Sequence, residues 1–219
     1  MDSRRAESFS DGVFAVAITV LVFNLLAISP PDGFGKLTAH WPEYAAYVVS
    51  FLTIGIMWLN HHTMLSHASK INRTALVLNI FLLMGVVAVP FPTGLVAGGL
   101  AAGAPAGATK VAAVAYGLVM TGTSVAFSAL WLYLSSHGDP SLAARPRQQS
   151  RQASLRFGAG LLGYIAATVI AALGAPKVAL GIYGLLAVYY LFEHLPGPAA
   201  RDAGAGGQND QPAGHPAAR

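Results

Sequence analysis

A chain of 219 residues that is 54% hydrophobic and only 10% charged falls far below the roughly 25% charged residues of a water-soluble domain, so composition points to a membrane protein. The absence of cysteine excludes disulfides, thiolate metal sites and cysteine nucleophiles. A formal charge of +4 and a pI near 9.5 would suit nucleic acid, but the basic residues follow a membrane topology and no nucleic-acid partner is expected.

Six apolar segments, each near the roughly 20 residues needed to cross about 30 Å of hydrocarbon, predict an all-α, polytopic protein in the lipid bilayer. The first, 8–28, is stopped by Pro30 and Pro31. It carries Arg5, Glu7 and Asp11 at its mouth, and no cleavable signal peptide is expected because acidic residues precede it. The second, 44–65, opens beside Trp41, Tyr44 and Tyr47, which suit an interfacial aromatic belt. A tight polar turn with His67, Lys70, Asn72 and Arg73 follows.

The third segment, 76–96, contains Pro90-Phe91-Pro92, which predicts a kink. A Gly/Ala/Pro loop over 98–107 leads to the fourth, 111–134, closed by the helix-stopping run Ser135 to Pro140. A basic linker with Arg145, Arg147, Arg151 and Arg156 precedes the fifth, 157–173. The sixth, 178–192, is separated from it only by Gly174-Ala175-Pro176-Lys177, which predicts an antiparallel hairpin. Residues 1–197 therefore form one six-helix domain, and 198–219 a disordered, low-complexity cytoplasmic tail.

Lysine and arginine placement tests this reading independently of hydropathy. With the N-terminus cytoplasmic, the inner segments hold Arg4, Arg5, Lys70, Arg73, Arg145, Arg147, Arg151, Arg156, Arg201 and Arg219, and the outer loops only Lys36, Lys110 and Lys177. That alternation predicts a multi-pass protein of the cell membrane with both termini cytoplasmic.

On the first helix Gly12, Val16, Thr19, Val20, Phe23 and Ala27 recur at spacings of three and four and share one face. That face is either a lipid or packing surface, or it lines a pore in which Thr19 offers a hydroxyl oxygen to a partly dehydrated cation. Asp11 is either a cap at the positive helix end or a member of a buried polar network. Partners for a network stand in Trp58-Leu59-Asn60-His61-His62, where Trp58 shares a face with the histidines. The two histidines point about 100° apart, so one can meet Ser10-Asp11 while the other meets cytoplasmic water. Asn79 lies at similar depth, and Arg5, Ser10, Asp11, Trp58, His61 and Asn79 are expected to gather in one cluster.

Other chemistries find no support in the sequence. Neither a Gly-rich phosphate loop, a His-Glu-x-x-His zinc motif nor a Gly-x-Ser-x-Gly elbow is present, so no enzyme, resident metal or cofactor is expected. The Thr-Val-Gly-Tyr-Gly filter of potassium channels is missing as well.

At Arg5-x-x-x-Phe9-Ser10-Asp11, with a threonine eight residues after the aspartate, the chain resembles the transmembrane protein 175 family of potassium-permeable channels. The resemblance continues through Trp58-Leu59-Asn60-His61-His62, Asn79 and Pro90-Phe91-Pro92, and covers about the first 95 residues in motif detail. It implies a homotetramer of single six-helix repeats around a central pore lined by helix 1. It further implies a hydrophobic gate at Val16, Val20 and Phe23, with Thr19 setting potassium preference. Arg5, Phe9, Ser10 and Asp11 would join Trp58, Asn60, His61 and Asn79 in a structural network that does not touch the ion. Where the family closes its pore with isoleucine or leucine, Val16 is one methylene shorter, which leaves Val16, Val20 and Phe23 all as candidates for the narrowest ring.

The expected function is a passive, potassium-preferring cation channel with weaker discrimination against sodium than a carbonyl filter provides. Two other classes stand beside it: a proton-coupled transporter that relays protons through Asp11 and His61, and a membrane scaffold without transport.

Overall fold

The computed structural model describes residues 3–26, 33–66, 71–137 and 147–193. The expected stops at Pro30, Pro31 and Pro140, the turn residues His67 and Lys70, the linker residue Arg145 and the tail at 198–219 lie outside the described residues. Among the described residues all regular structure is helical, in the order α1 (Ser3–Val20), α2 (Phe23–Leu26), α3 (Phe34–Ala39), α4 (Trp41–Ser66), α5 (Arg73–Ala88), α6 (Pro90–Leu100), α7 (Ala108–His137), α8 (Arg147–Ala172) and α9 (Pro176–Glu193). This is an all-helical membrane protein.

Four helical stretches are long and apolar enough to cross a bilayer: Arg4–Leu26, Trp41–Leu65, Arg73–Leu100 and Ala108–Ser136. The last two expected spans are apolar but shorter, at Gly158–Ala172 and Pro176–Leu191. Two element boundaries differ from the sequence expectation. Helix α1 starts at Ser3, so Arg4, Arg5 and Glu7 stand on its first turns and not ahead of it. Helix α8 starts at Arg147, so Arg147, Arg151 and Arg156 ride on helical turns and not on a linker. In both cases polar residues of good helix propensity extend an apolar helix beyond its hydrophobic length.

The third span is broken at Val89, between α5 and α6. Pro90 and Pro92 lack the N–H groups that an unbroken ladder needs. The chain tightens in response: Val89 N–H donates to the Val86 carbonyl at 3.1 Å, a three-residue step.

Helix α7 runs through the middle, packed on α5, α6, α8 and α9. In a bilayer this packing rests on close van der Waals fit, and small residues permit it. Gly85 of α5 lies against Thr123 of α7, and Gly117 of α7 lies against both Thr168 of α8 and Tyr183 of α9. The Tyr183 hydroxyl reaches Thr168 Oγ1 at 3.1 Å and the Ala113 carbonyl at 3.3 Å, which ties three helices at one crossing.

Alternating helix directions bring the start of α1, the end of α4, the start of α5 and the end of α7 to one end of the bundle, here the near end. There Asn72 Nδ2 donates to the Tyr133 hydroxyl at 2.6 Å. The end of α6 and the starts of α4, α7 and α9 lie at the far end, where Thr109 Oγ1 donates to the Gly99 carbonyl at 2.6 Å.

Candidate functional site

Helix α1 has two unlike faces. Ala6, Ser10, Phe14, Ala17 and Leu21, spaced by three and four, are buried against the bundle, where α1 packs on α4 and α5. Val16 lies two residues past Phe14, about 200° round the helix, and so points away from that packing. Phe9 (61% exposed), Val16 (57%), Val20 (37%) and Phe23 (63%) continue this open, apolar face, and Gly12 and Thr19 are exposed along it.

The buried face is locked by side-chain hydrogen bonds at the near end. Ser10 Oγ donates to the Ala6 carbonyl at 2.8 Å and therefore accepts from Asn79 Nδ2 at 3.0 Å. The Asn79 amide oxygen in turn accepts from His61 Nε2 at 2.7 Å. Since Asn79 uses its amide nitrogen on Ser10, this geometry sets the histidine as the Nε2–H tautomer. The Phe14 ring packs on His61, with centroids 5.3 Å apart. Ser10, His61 and Asn79 are all buried, so the three helices α1, α4 and α5 share one buried polar knot.

A second set lies beside it, closer to water. Trp58 Nε1 donates to Asp11 Oδ1 at 2.8 Å. One turn further out, Glu7 Oε1 meets His62 Nδ1 at 2.7 Å, and the Trp58 and His62 rings stack at 5.7 Å. Glu7 with Asp11 and Trp58 with His62 each follow a four-residue step, so two helix faces meet as two rungs.

The expected single cluster is thus two hydrogen-bonded sets, Ser10–Asn79–His61 and Asp11–Trp58. Arg5 is exposed on α1 and belongs to neither. Phe9 precedes Ser10 by one residue, which turns its ring about 100° off the locked face and onto the open one. Asn60 is displaced from His61 by the same angle, and lines a cavity of about 70 Å³ between α4, α7, α8 and α9 with Thr53, Ser124 and Tyr164. Sequence reasoning missed Glu7 and Phe14. The paired four-residue spacings were the available signal for Glu7; nothing distinguished Phe14 from other apolar residues.

The far end of α1 has a different device. The chain tightens into a turn at Leu21 and Val22, with Val22 N–H on the Thr19 carbonyl and Asn24 N–H on the Leu21 carbonyl, both at 3.2 Å. Three-residue steps of this kind redirect a helix. Asn24 Nδ2 then donates to the Pro90 carbonyl at 3.1 Å, at the break in the third span. A Cβ at Gly94 would come within 2.7 Å of Asn24 Oδ1, so a glycine there makes room for this anchor.

Thr19 Oγ1 lies 2.8 Å from the Val16 carbonyl and 3.0 Å from that of Ala15. Its proton is committed to the helix backbone, which leaves oxygen lone pairs free on an exposed face. Among the described residues no group of three or more His, Asp or Glu is placed to hold a metal ion.

Comparison with known proteins places the chain in a family. A family model described as the endosomal/lysosomal potassium channel TMEM175 matches residues 5–90, which hold the locked face of α1 and both of its partners. A potassium channel of Streptomyces collinus is 44% identical over 211 residues, covering 93% of this chain and 98% of that protein. The human endosomal/lysosomal proton channel TMEM175 is 32% identical over 101 residues, or 41% of this chain and 20% of that protein. The crystal structure of a lysosomal potassium-selective channel TMEM175 homolog from Chamaesiphon minutus superimposes with a TM-score of 0.73 at 30% identity, covering 87% of this chain and 97% of that one. The chain belongs to the TMEM175 family.

Proposed function

We propose that this chain is a subunit of a potassium-preferring cation channel, in which the open face of α1 lines the pore. The observation that carries the reading is the division of α1 into a locked, polar-bonded face and an exposed face that, from Phe9 to Phe23, is apolar but for Gly12 and Thr19. Relatives named as potassium channels, at 44% and 32% identity, support the choice of ion.

Four copies around a central axis would place Val16, Val20 and Phe23 in successive rings. A ring of apolar side chains resists hydration and closes by dewetting, so ions cross only by shedding water. The Thr19 ring would offer four oxygens to a cation in that state, and potassium, whose hydration shell is held less tightly than that of sodium, would pass more readily. The subunit would span the cell membrane six times, with α8 and α9 as the last two spans and both termini cytoplasmic. A proton relay through Asp11 and His61 is less well supported, because Asp11 is bonded to Trp58 while His61 is bonded to Asn79.

A potassium-gradient flux assay on purified protein in liposomes, repeated with sodium, tests this. Potassium flux above sodium flux is expected, with a higher resting flux for Val16→Asn. No flux of either ion beyond empty liposomes contradicts the channel, and an unchanged Val16→Asn removes Val16 from the gate.

A further inference from the structure

At the far end, a second cavity of about 150 Å³ lies between α4, α6, α7 and α9. Its walls are apolar or small, including Ala46, Val96, Leu180 and Gly184, and three hydroxyls, those of Ser50, Thr93 and Tyr116, line the rest. Those hydroxyls are already engaged. Thr93 Oγ1 donates to the Val89 carbonyl and accepts from Ser50 Oγ, each at 2.8 Å, and the buried Tyr116 hydroxyl faces Ser50 and Thr53, to one of which it can donate. No polar side-chain atom in the lining is buried without a partner. A cavity that asks for no hydrogen bonds stays dry and suits an apolar guest.

Leu100 and Leu180 also line a larger recess of about 520 Å³ that opens to the far end, beside the exposed ring of Trp41 and the exposed Lys177. Lys177 in turn shares a neighbouring recess with Lys110. Both lysines occupy first turns, of α9 and α7, where the helix dipole opposes a cation. An anion lying over the two offsets that repulsion. Trp41 suits the headgroup level of a bilayer.

We propose that this route seats an anionic phospholipid of the surrounding bilayer, with its headgroup on Lys110 and Lys177 and the end of one acyl chain past Leu100 and Leu180 in the cavity. The site rests on the chain's lying in a bilayer and not on which ion the pore conducts. The guest would touch Thr93, one turn from Pro90, whose carbonyl holds Asn24 beside Phe23. The lipid therefore braces the same helix turn that anchors the far end of α1.

Native mass spectrometry of the full chain, purified in detergent and supplied with phosphatidylglycerol or phosphatidylcholine, tests the site. Phosphatidylglycerol is expected to remain bound at about one per chain, and phosphatidylcholine at least fivefold less. A Cβ at Gly184 meets open space, so Gly184→Leu projects into the cavity without a backbone clash, and should lower retained phosphatidylglycerol at least fivefold. The exposed pair Lys110→Gln with Lys177→Gln should leave the fold intact and erase the preference between the two lipids. Equal retention of both lipids by the unaltered chain, or full retention by Gly184→Leu, overturns the proposal.

Discussion

The two ends of α1 are held by opposite means. At the near end Ser10, Asp11 and Glu7 each bond to a side chain of another helix, and Ser10 and Asn79 do so in full burial. At the far end, among the described residues, the tightened turn at Leu21 and Val22 is followed by the Asn24 bond to the Pro90 carbonyl. A helix pinned by several bonds at one end and by one bond past a turn at the other has its freedom at the far end, where Phe23 sits. The conspicuous polar residues thus set the position of α1, and Val16, Val20 and Phe23 face the open side.

Substitutions that test this contrast should differ in size. Asn79→Leu leaves the buried His61 Nε2–H without its acceptor and takes one bond from Ser10, which keeps its own to the Ala6 carbonyl, and an orphaned buried group costs roughly 1–3 kcal/mol. A large drop in melting temperature in detergent is expected; a drop no greater than that of an exposed α5 variant such as Ile80→Ala would break the contrast. Asn24→Ala removes a single bond worth about 1 kcal/mol, with a small change in melting but a clear change in potassium flux. Unchanged flux would show that the far end is not free to move. Glu7→Gln should matter least, because a half-exposed pair contributes about 1 kcal/mol or less; melting should shift little, and a shift as large as that of Asn79→Leu would move the clamp outward to Glu7 and His62.

How far the sequence made this legible follows the physics of each feature. Long apolar stretches mark α1, α4, α7 and the α5–α6 span because a bilayer demands them, and the two prolines mark the break at Val89. Ser10, Asp11, Trp58, His61 and Asn79 stood out because polar groups at that depth need partners. Phe9 and Asn60 enter the expected network through the resemblance alone, and a rotation of about 100° per residue sets each off the face of its bonded neighbour, Ser10 or His61. The turn at Leu21 and Val22 is not legible in the sequence, since no glycine or proline marks it; it is followed by a tertiary bond from Asn24 to a carbonyl 66 residues away. The two rungs of Glu7 and Asp11 were legible in principle from matched four-residue spacings on two helices.

The central claim is that the open face of α1 meets its copies along the ion's path. The chain has no cysteine, so Val16→Cys introduces its only thiol, and Leu162→Cys on the exposed side of α8 provides a matched control. Potassium flux through each variant in liposomes, measured before and after silver ion, tests the claim. The account predicts block of Val16→Cys and no effect on Leu162→Cys; undiminished flux through Val16→Cys would contradict it.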